Sequence, residues 1–247
     1  MGRGRIAALS DPPVPAEAAD TIVIVSAYQE AERLPSTLAA LAQAFPGARV
    51  VVADDGSRDG TDHVAVQAGV EVVRAPRTIG KGGAMTLAAE RVIDARARVY
   101  VLCDGDLGDS ARELPRLASA VVAGRCDLAI ATFTRRVGGG IGAALGFSRW
   151  ATRRLSGLEL SAPLSGQRAL RPEVLRAVTP FAPRFGMETA MNVDAARAGF
   201  RVCELELDLS HRATGRTLRG FVHRARQLKD FALVYLSRRR SEPPSAR

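Results

Sequence analysis

The chain contains 247 residues, of which 47% are hydrophobic and 25% charged, as in ordinary globular proteins. This composition excludes the collagen-like, disulfide-scaffold and fully disordered classes. Cys103, Cys126 and Cys203 lie far apart and match no zinc or redox motif, so we expect a reducing, cytoplasmic environment. The sequence has no run of about 18 apolar residues that would predict a membrane span, and residues 1–20 lack the apolar core of a signal peptide.

The formal net charge is +9, and nearly all of the positive charge is arginine, since Lys81 and Lys229 are the two lysines. Such a charge suits a polyanionic partner: nucleic acid, an anionic membrane surface or a phosphorylated small molecule. A GC-rich genome also produces this composition without selection for binding, and that alternative stays open. Aromatic residues make up 5% of the chain and are not interleaved with the basic ones, so we predict no nucleic-acid partner.

The first half alternates short β-branched runs with stretches of helical periodicity. The predicted strands are Thr21–Ser26, Arg49–Ala53, Val70–Val73, Val99–Cys103 and Leu128–Thr132. The predicted helices between them are Leu34–Phe45, Asp62–Ala68, Ala84–Ala95 and Leu114–Ala123. This order predicts an α/β fold with a mostly parallel, Rossmann-like sheet covered by helices on both faces. Ligands of such sheets bind beyond the carboxyl ends of the strands.

The second half is less regular. Arg135–Leu155 begins with glycines and continues as a basic helical stretch. Further helices are predicted around Pro172–Val178, at Met187–Ala198 and at Leu218–Leu236, with a strand at Arg201–Leu207. We expect a single domain at residues 21–237, divided into halves 21–133 and 134–237, between a disordered leader (1–20) and a disordered basic tail (238–247).

Polar clusters follow four of the predicted strands. They are Ser26-Ala27-Tyr28-Gln29-Glu30, Asp54-Asp55-Gly56-Ser57-Arg58-Asp59-Gly60-Thr61, Gly80-Lys81-Gly82-Gly83 and Asp104-Gly105-Asp106. Spacing excludes three common sites. An EF-hand starting at Asp55 needs a glutamate where Val66 stands, and a P-loop needs serine or threonine where Gly82 stands. The glycines at 138–146 lack the third glycine of a dinucleotide motif.

The clusters that remain suit a nucleoside diphosphate. Asp104 and Asp106 lie two residues apart at a strand end, so both carboxylates can face one divalent cation. Lys81, flanked by glycines, can donate to the diphosphate that the cation neutralises. The carboxylates of Asp55 and Glu30 suit base N–H groups and ribose hydroxyls. Each cluster alone is more often turn or helix-cap chemistry, but all four in this order predict one pocket.

The order of these motifs resembles the nucleotide-sugar glycosyltransferases of family 2, which have the GT-A fold. The resemblance covers about Thr21–Asp230, with Ser26 in place of the usual proline and Gln29 in place of asparagine. It implies transfer of a sugar from a nucleotide-diphospho-sugar (UDP or GDP) to an acceptor, with Mg2+ or Mn2+. In the family's roles, Ala27, Tyr28, Glu30 and Asp55 line the nucleoside, Lys81 approaches the nucleotide, and Asp104 and Asp106 serve ribose and metal.

Two further segments resemble different branches of the family. Residues 164–170 resemble the Ser-Gly-x-Arg segment of polyprenyl-phosphate sugar synthases, in which the arginine meets a phosphate. Residues 185–188 and 210–212 resemble glucosyl-3-phosphoglycerate synthases, in which a glutamate lies near the acceptor and a histidine joins the metal. These resemblances imply phosphate or acceptor binding by Gln167 and Arg168, catalysis by Glu188 with Asp106, and metal binding by His211. The acceptor stays open between a polyprenyl phosphate and a phosphorylated hydroxy acid such as 3-phosphoglycerate.

Several alternatives remain at this stage. Glu188 is either a general base for an acceptor hydroxyl or a first-turn glutamate that complements a helix dipole, and His211 is either a metal ligand or a surface histidine. The same pocket suits a non-catalytic nucleotide-sugar-binding protein. It also suits a sugar-1-phosphate nucleotidyltransferase, although that family has a glycine-rich first loop. A polyprenyl acceptor would bring Arg135–Leu155 to the inner face of the membrane, and a homodimer through the last helix stays open.

Overall fold

The computed structural model describes residues 20–93, 96–134, 142–209, 230 and 232–239. Within these ranges the strands are β1 (Thr21–Ala27), β2 (Arg49–Asp54), β3 (Glu71–Arg74), β4 (Val99–Asp104), β5 (Leu128–Phe133), β6 (Arg168–Leu170) and β7 (Val202–Leu207). They form one sheet in the order β3-β2-β1-β4-β6-β5-β7. The predicted α/β fold with a mostly parallel sheet is confirmed.

The helices cover both faces of this sheet. They are α1 (Leu34–Ala44), α2 (Thr61–Gln67), α3 (Lys81–Val92), α4 (Pro115–Val122), α5 (Gly142–Ser156), α6 (Pro172–Val178) and α7 (Met187–Arg197), and residues 232–239 are also helical. In the described part of the chain, every helix is too short or too polar to cross a membrane. The predicted leader and tail, and most of the predicted helix Leu218–Leu236, lie outside the described residues.

Alternate residues of each strand enter different cores, as the two-residue period of a strand requires. Val23 and Val25 of β1 pack in a core with residues of α1, α2 and α4, whereas Ile22 and Ile24 pack on the other face with residues of α3, α6 and α7. Strands β1, β4 and β5 are therefore apolar along nearly their whole length, which is why their positions could be predicted well.

Strand β6 is the main departure from the predicted parallel sheet. It lies antiparallel between β4 and β5, where Ala169 pairs with Val101 on one side and with Ala129 on the other. All three residues of β6 are buried. Because β6 runs opposite to β4, the residue that precedes it, Gln167, arrives at the carboxyl end of β4.

Helix α3 begins three residues earlier than predicted, so the Gly-Lys-Gly motif is its first turn rather than a loop. Gly80 precedes the helix with a φ of 91°, a conformation that glycine adopts without strain. A Cβ atom on Gly82 would overlap the carbonyl oxygen of Ala182. These two glycines allow Lys81 to stand at the start of α3, with the segment after α6 packed against it.

The cysteines also differ from expectation. Cys126, two residues before β5, forms a disulfide with Cys203 of β7, and Cys103 is a buried free thiol. Their separation of 77 residues explains why no spacing in the sequence indicated this pair. The two residues meet because β5 and β7 are parallel neighbours in the sheet.

Candidate active site

The turn after β2 fixes the loop after β1. Three backbone N–H groups of the loop donate to side chains of the turn: Gln29 to Ser57 Oγ at 2.9 Å, Glu30 to Thr61 Oγ1 at 3.0 Å and Ala31 to Asp59 Oδ2 at 3.1 Å. The turn is itself held by Asp54, whose Oδ1 accepts the N–H of Ser57 at 3.0 Å. Of the predicted nucleoside-lining residues, Ala27 is buried at the end of β1 and Tyr28 is 48% exposed beside it.

Asp55 caps the start of α3 from the end of β2. Its Oδ1 accepts the backbone N–H groups of Ile79 at 2.7 Å and Gly80 at 2.9 Å, and only 6% of the residue is exposed. The N–H of Asp55 donates to the carbonyl of Ala27 at 3.0 Å, which ties it to β1. Asp55 therefore lies at the predicted edge of the sheet, but its carboxylate positions the helix that carries Lys81.

Asp104, the last residue of β4, is surrounded by donors from three other parts of the chain. Its Oδ1 accepts from Lys81 Nζ at 2.7 Å and from Ser26 Oγ at 2.9 Å, and its Oδ2 accepts from Gln167 Nε2 at 2.8 Å. Burial by itself raises the pKa of Asp104, but the charge of Lys81 and these hydrogen bonds outweigh it and lower the pKa below 3.8. Asp104 is therefore ionised at neutral pH.

Lys81 bridges two carboxylates. Its Nζ lies 2.7 Å from Asp104 Oδ1 and 2.8 Å from Oε1 of Glu188, which stands in the first turn of α7 and is 6% exposed. Burial lowers the pKa of Lys81, but the two carboxylates more than compensate and raise it above 10.5. A Cβ atom on Gly166 would lie 2.6 Å from Asp104 Oδ2 and 2.7 Å from Lys81 Nζ, so the backbone of Gly166 packs against this ion pair without room for a side chain.

Carboxylates crowd together on the open side of Asp104. The pKa of Glu30 is raised above 4.5, first by burial and then by the negative charge of Asp106, with a smaller contribution from Asp104, although Arg33 partly offsets these effects. Asp106 is half-buried. A divalent cation would relieve this repulsion, and carboxylate oxygens are the donors that Mg2+ and Mn2+ prefer, so the residues present fit such an ion.

Within the described ranges, no group of three or more histidine, cysteine, aspartate or glutamate side chains is arranged to hold a metal ion. His211, the predicted third ligand, lies outside those ranges. Both oxygens of Asp104 already accept hydrogen bonds, Oδ1 from Lys81 and Ser26 and Oδ2 from Gln167.

Arg168 does not occupy the predicted place. The residue is 0% exposed, and its guanidinium donates to the carbonyls of Ser165 (2.8 Å) and Pro163 (3.0 Å) and to Asn192 Oδ1 (2.7 Å). Burial lowers its pKa to about 10, against the attraction of Glu188, so it remains protonated at neutral pH. The predicted direct contact between Arg168 and a phosphate is incompatible with this placement, because its donors point into the core.

Gln167, the other predicted phosphate-binding residue, is 1% exposed and donates to Asp104.

Three contributors to the site were given no role in the sequence prediction. They are Ser26, treated only as a departure from the family's proline, Gly166 and Asn192. For Asn192 a signal existed, since Glu188 and Asn192 are polar residues four apart in α7, and such residues share one face of a helix.

A second surface lies on α5 and the helix at 232–239. The ring centroid of Trp150 lies 4.8 Å from that of Tyr235. Three large hydrophobic residues are about half exposed here: Trp150 (50%), Leu233 (54%) and Leu236 (49%). Below it is an open cavity of about 740 Å³, lined by Arg149, Trp150, Arg153, Arg154, Glu159 and Leu160. The surface combines aromatic, aliphatic and basic side chains.

The sequence and the structure both match known proteins. A family described as Glycosyl transferase family 2 matches residues 22–161. An undecaprenyl-phosphate mannosyltransferase of Micrococcus luteus is 33% identical over 210 residues, covering 78% of this chain and 85% of that protein. A polyprenol monophosphomannose synthase of Mycolicibacterium smegmatis is 30% identical over 217 residues, covering 79% of each chain. Glucosyl-3-phosphoglycerate synthase of Mycobacterium tuberculosis, solved with Mn2+, UDP and glucosyl-3-phosphoglycerate, superposes with a TM-score of 0.76 at 21% identity, covering 95% of this chain and 88% of that one.

Proposed function

This chain belongs to glycosyltransferase family 2, and on that premise we propose that it transfers a hexose from a nucleotide-diphospho-sugar to a polyprenyl phosphate. The family and the enzyme class that the motifs predicted are confirmed. The observation that supports the donor half of the proposal is the cluster at the carboxyl ends of β1, β2 and β4. It joins Lys81 to Asp104 and places Asp106 and Glu30 close by.

The residues divide the work of donor binding. Asp106 would hold Mg2+ or Mn2+ with Asp104 beside it, and the bound metal would stabilise the leaving nucleoside diphosphate as a Lewis acid. Tyr28 and Glu30, fixed by the turn after β2, line the nucleoside side of the pocket. Lys81 stays positively charged next to the diphosphate because its two carboxylate partners raise its pKa. The solved synthases with UDP and Mn2+ or Mg2+ support this donor class.

The state of Glu188 favours a phosphate acceptor. A hydroxyl acceptor needs a base that can take its proton, whereas a phosphate is already ionised and can attack without one. Glu188 is buried, and its Oε1 lies 2.8 Å from Nζ of Lys81, so this oxygen is already engaged by the lysine rather than open to an acceptor hydroxyl. One curated relative is named for undecaprenyl phosphate and the other for polyprenol monophosphomannose, and both names support the same acceptor class.

A lipid acceptor requires contact with a membrane surface. The surface on α5 and the helix at 232–239 suits this role, because Trp150, Leu233 and Leu236 are half-exposed and Arg153 and Arg154 flank them. Aromatic and basic side chains together favour the interface of an anionic bilayer. Peripheral binding at the cytoplasmic face of the membrane is therefore part of the proposal.

The test of the acceptor is a transfer assay with Glu188→Gln. GDP-mannose and UDP-glucose are offered as donors with Mn2+, and undecaprenyl phosphate in detergent or 3-phosphoglycerate as acceptors. We expect transfer to the lipid, and turnover of Glu188→Gln within about tenfold of wild type, since a general base contributes about 10²–10⁴-fold.

The matched control is Glu173→Gln, because Glu173 also stands in the first turn of a helix but has a side chain that is 53% exposed. Transfer to 3-phosphoglycerate with a loss of 10²-fold or more in Glu188→Gln alone would replace the lipid by a hydroxy acid. Nucleotide binding without any transfer would favour the non-catalytic alternative.

The membrane contact is tested separately by sedimentation of the full chain with vesicles. We expect binding to phosphatidylglycerol vesicles at low salt that weakens in the double variant Leu233→Ser/Leu236→Ser. The control is Val66→Ser, since Val66 is 64% exposed on α2, away from this surface. Equal binding by all three proteins would contradict the assignment of this surface.

A further inference from the structure

Helix α7 faces the site with two buried polar residues, one turn apart. Glu188 contacts Lys81, and Asn192, which is 0% exposed, contacts Arg168. Positions four apart on a helix lie on the same side, so one rigid face holds both contacts. The first belongs to the donor pocket described above, whereas the second lies behind the pocket, in the core.

Asn192 and Arg168 together fix the segment before β6. Asn192 Oδ1 accepts from Arg168 at 2.7 Å, and Asn192 Nδ2 donates to the carbonyl of Pro163 at 2.9 Å. The same carbonyl accepts from Arg168 at 3.0 Å, and that of Ser165 accepts from Arg168 at 2.8 Å. Two side chains therefore hold residues 163–165 through backbone atoms.

The segment transmits this placement to Asp104. Ser165 Oγ donates to Gln167 Oε1 at 3.2 Å, and Gln167 Nε2 donates to Asp104 Oδ2 at 2.8 Å. Between them the backbone of Gly166 lies so close to Asp104 and Lys81 that no Cβ atom fits there. A shift of residues 163–167 would therefore move a donor of Asp104 and the wall against which its carboxylate rests.

The composition of this buried group argues for a positioning role rather than for stability alone. The acceptors of Arg168 are two carbonyls and an amide, and no carboxylate of the described residues lies within 4 Å of it. Burial lowers the pKa of the guanidinium to about 10, and the attraction of the charges of Glu188, Glu204 and Asp104 does not outweigh this effect. Apolar residues of similar volume often fill such a space at equal or lower free energy. The hydrogen bonds of Arg168 and Asn192 instead fix the orientation of the two carbonyls that accept them, those of Pro163 and Ser165.

We propose that Asn192 is a positioning residue of the donor site: through Arg168 it fixes residues 163–167, and through Gln167 this segment sets the orientation of the Asp104 carboxylate. The inference rests on the proposed function insofar as Asp104 serves the nucleotide. It also gives Arg168 a role at the donor site without any contact with phosphate.

The first test is calorimetric binding of UDP and of GDP with Mn2+ to wild type, Asn192→Leu and Thr189→Val. Thr189 is a matched control: it is also 0% exposed on α7, and its hydroxyl bonds Ser148 at 2.7 Å, away from Arg168. We expect nucleotide affinity to fall about tenfold in Asn192→Leu and to stay within about twofold in Thr189→Val. Equal affinities in the two variants would overturn the proposal, since loss of a buried hydrogen bond would then explain both.

The route through Gln167 is tested by a double-mutant cycle. Gln167→Met keeps the side-chain length and removes the donor to Asp104. If Asn192 acts through Gln167, the double variant should bind nucleotide no more weakly than whichever single variant has the lower affinity, because the effects of coupled residues are not additive. Additive losses would show that the two residues act independently and would refute the proposal.

Two further measurements keep the outcome interpretable. Should Asn192→Leu fail to fold, Asn192→Ser is judged by the same affinities, and amide hydrogen exchange of residues 161–168 is expected to accelerate in it but not in Thr189→Val. Unchanged exchange in that segment would contradict the inference. Failure of the wild type to bind either nucleotide would instead contradict the proposed function, so the two failures are distinguishable.

Discussion

Two aspartates at strand ends on either side of β1, Asp55 after β2 and Asp104 at the end of β4, are held in opposite ways. The carboxylate of Asp55 accepts backbone N–H groups at 2.7 and 2.9 Å, from residues that directly precede α3. The carboxylate of Asp104 accepts from three side chains, which come from β1, α3 and the segment before β6. The first arrangement belongs to two adjacent turns, whereas the second requires the whole sheet to be assembled.

The difference separates scaffold from pocket. Backbone donors cannot rotate away, so the turn at Asp55 stays in place whatever binds beside it. Side-chain donors can exchange partners, so the group around Asp104 can rearrange when a nucleotide and a cation arrive. The effects of substitutions on the free energy of unfolding should therefore differ between the two sides, both in size and in pH dependence.

The largest effect is expected for Lys81→Met. Removing the lysine leaves the carboxylates of Asp104 and Glu188 close together without a cation, which should lower the free energy of unfolding by about 3 kcal/mol at pH 7. The folded pKa of Asp104 is lowered from 3.8 and that of Lys81 is raised from 10.5, so this stabilisation is complete between those values. Denaturant titrations from pH 7 down to pH 3 should show the deficit shrinking as Asp104 becomes protonated.

Arg49→Met provides the matched control. The Arg49–Glu71 pair has the same 2.7 Å separation, with side chains that are 41% and 32% exposed. Lys81 is less exposed, at 26%, and has a second partner, Glu188, whose side chain is only 8% exposed. For Arg49→Met we expect a loss below about 1 kcal/mol. Equal losses in the two variants would mean that the Lys81 cluster is as well solvated as a surface pair.

A smaller effect is expected for Asp55→Ala. The N–H groups of Ile79 and Gly80 lose a charged acceptor, which should lower the free energy of unfolding by about 2 kcal/mol. Asp55→Ala should weaken nucleotide binding only indirectly, because the start of α3 becomes less fixed. Lys81→Met, in contrast, removes a proposed donor-site residue itself. Asp109→Ala, at a side chain that is 84% exposed, should change the unfolding free energy by less than about 0.5 kcal/mol. A loss at Asp55 no larger than at Asp109 would show that backbone capping is unimportant there.

The smallest effect, and the one with the opposite sign, is expected for Glu30→Gln. The folded pKa of Glu30 is raised above 4.5 by burial and by Asp106, so its ionised form destabilises the folded protein at higher pH. The variant should be more stable at pH 7 by less than about 1 kcal/mol, and the gain should vanish below pH 4.5. Thermal unfolding at pH 7 and pH 4 measures the difference. Lower stability at pH 7 would show that Glu30 is not strained by its neighbours.

The side of the molecule around Asp55 could be predicted from sequence because each of its motifs is a contiguous run of residues at the end of a strand. Strands β1 to β5 begin at the predicted residues within one position, since each is an apolar run bounded by turn residues. The Asp54–Thr61 motif fixes its own hydrogen bonds, so its spacing already describes its geometry. The predicted residues Glu30, Asp55, Lys81, Asp104 and Asp106 accordingly meet at one edge of the sheet.

The side around Asp104 could not be predicted in the same way, because its contacts join residues far apart in the chain. Nothing in the local pattern of Arg168–Leu170 distinguishes an antiparallel strand between β4 and β5 from an edge strand. Two donors of Asp104 lie far from it in the chain, Ser26 78 residues earlier and Gln167 63 residues later. The burial of Arg168 likewise depends on a residue of another element, Asn192 of α7. A motif can name such a residue, but it cannot say whether its side chain faces solvent or the core.

Strand β6 makes the stretch of chain between β5 and β6 separable from the parallel part of the sheet. The chain leaves the sheet at the end of β5, builds α5 and the segment that carries Gln167, and returns antiparallel between β4 and β5. The stretch between β5 and β6 is thus an excursion whose two ends are anchored in adjacent strands. Such an excursion can be lengthened or exchanged for another without disturbing the register of β1 to β4, provided that its returning end still brings a glycine and a donor to Asp104. Under the proposed function, in which α5 contributes to the acceptor side, acceptor preference can in this way diverge among related chains while the nucleotide pocket is inherited unchanged.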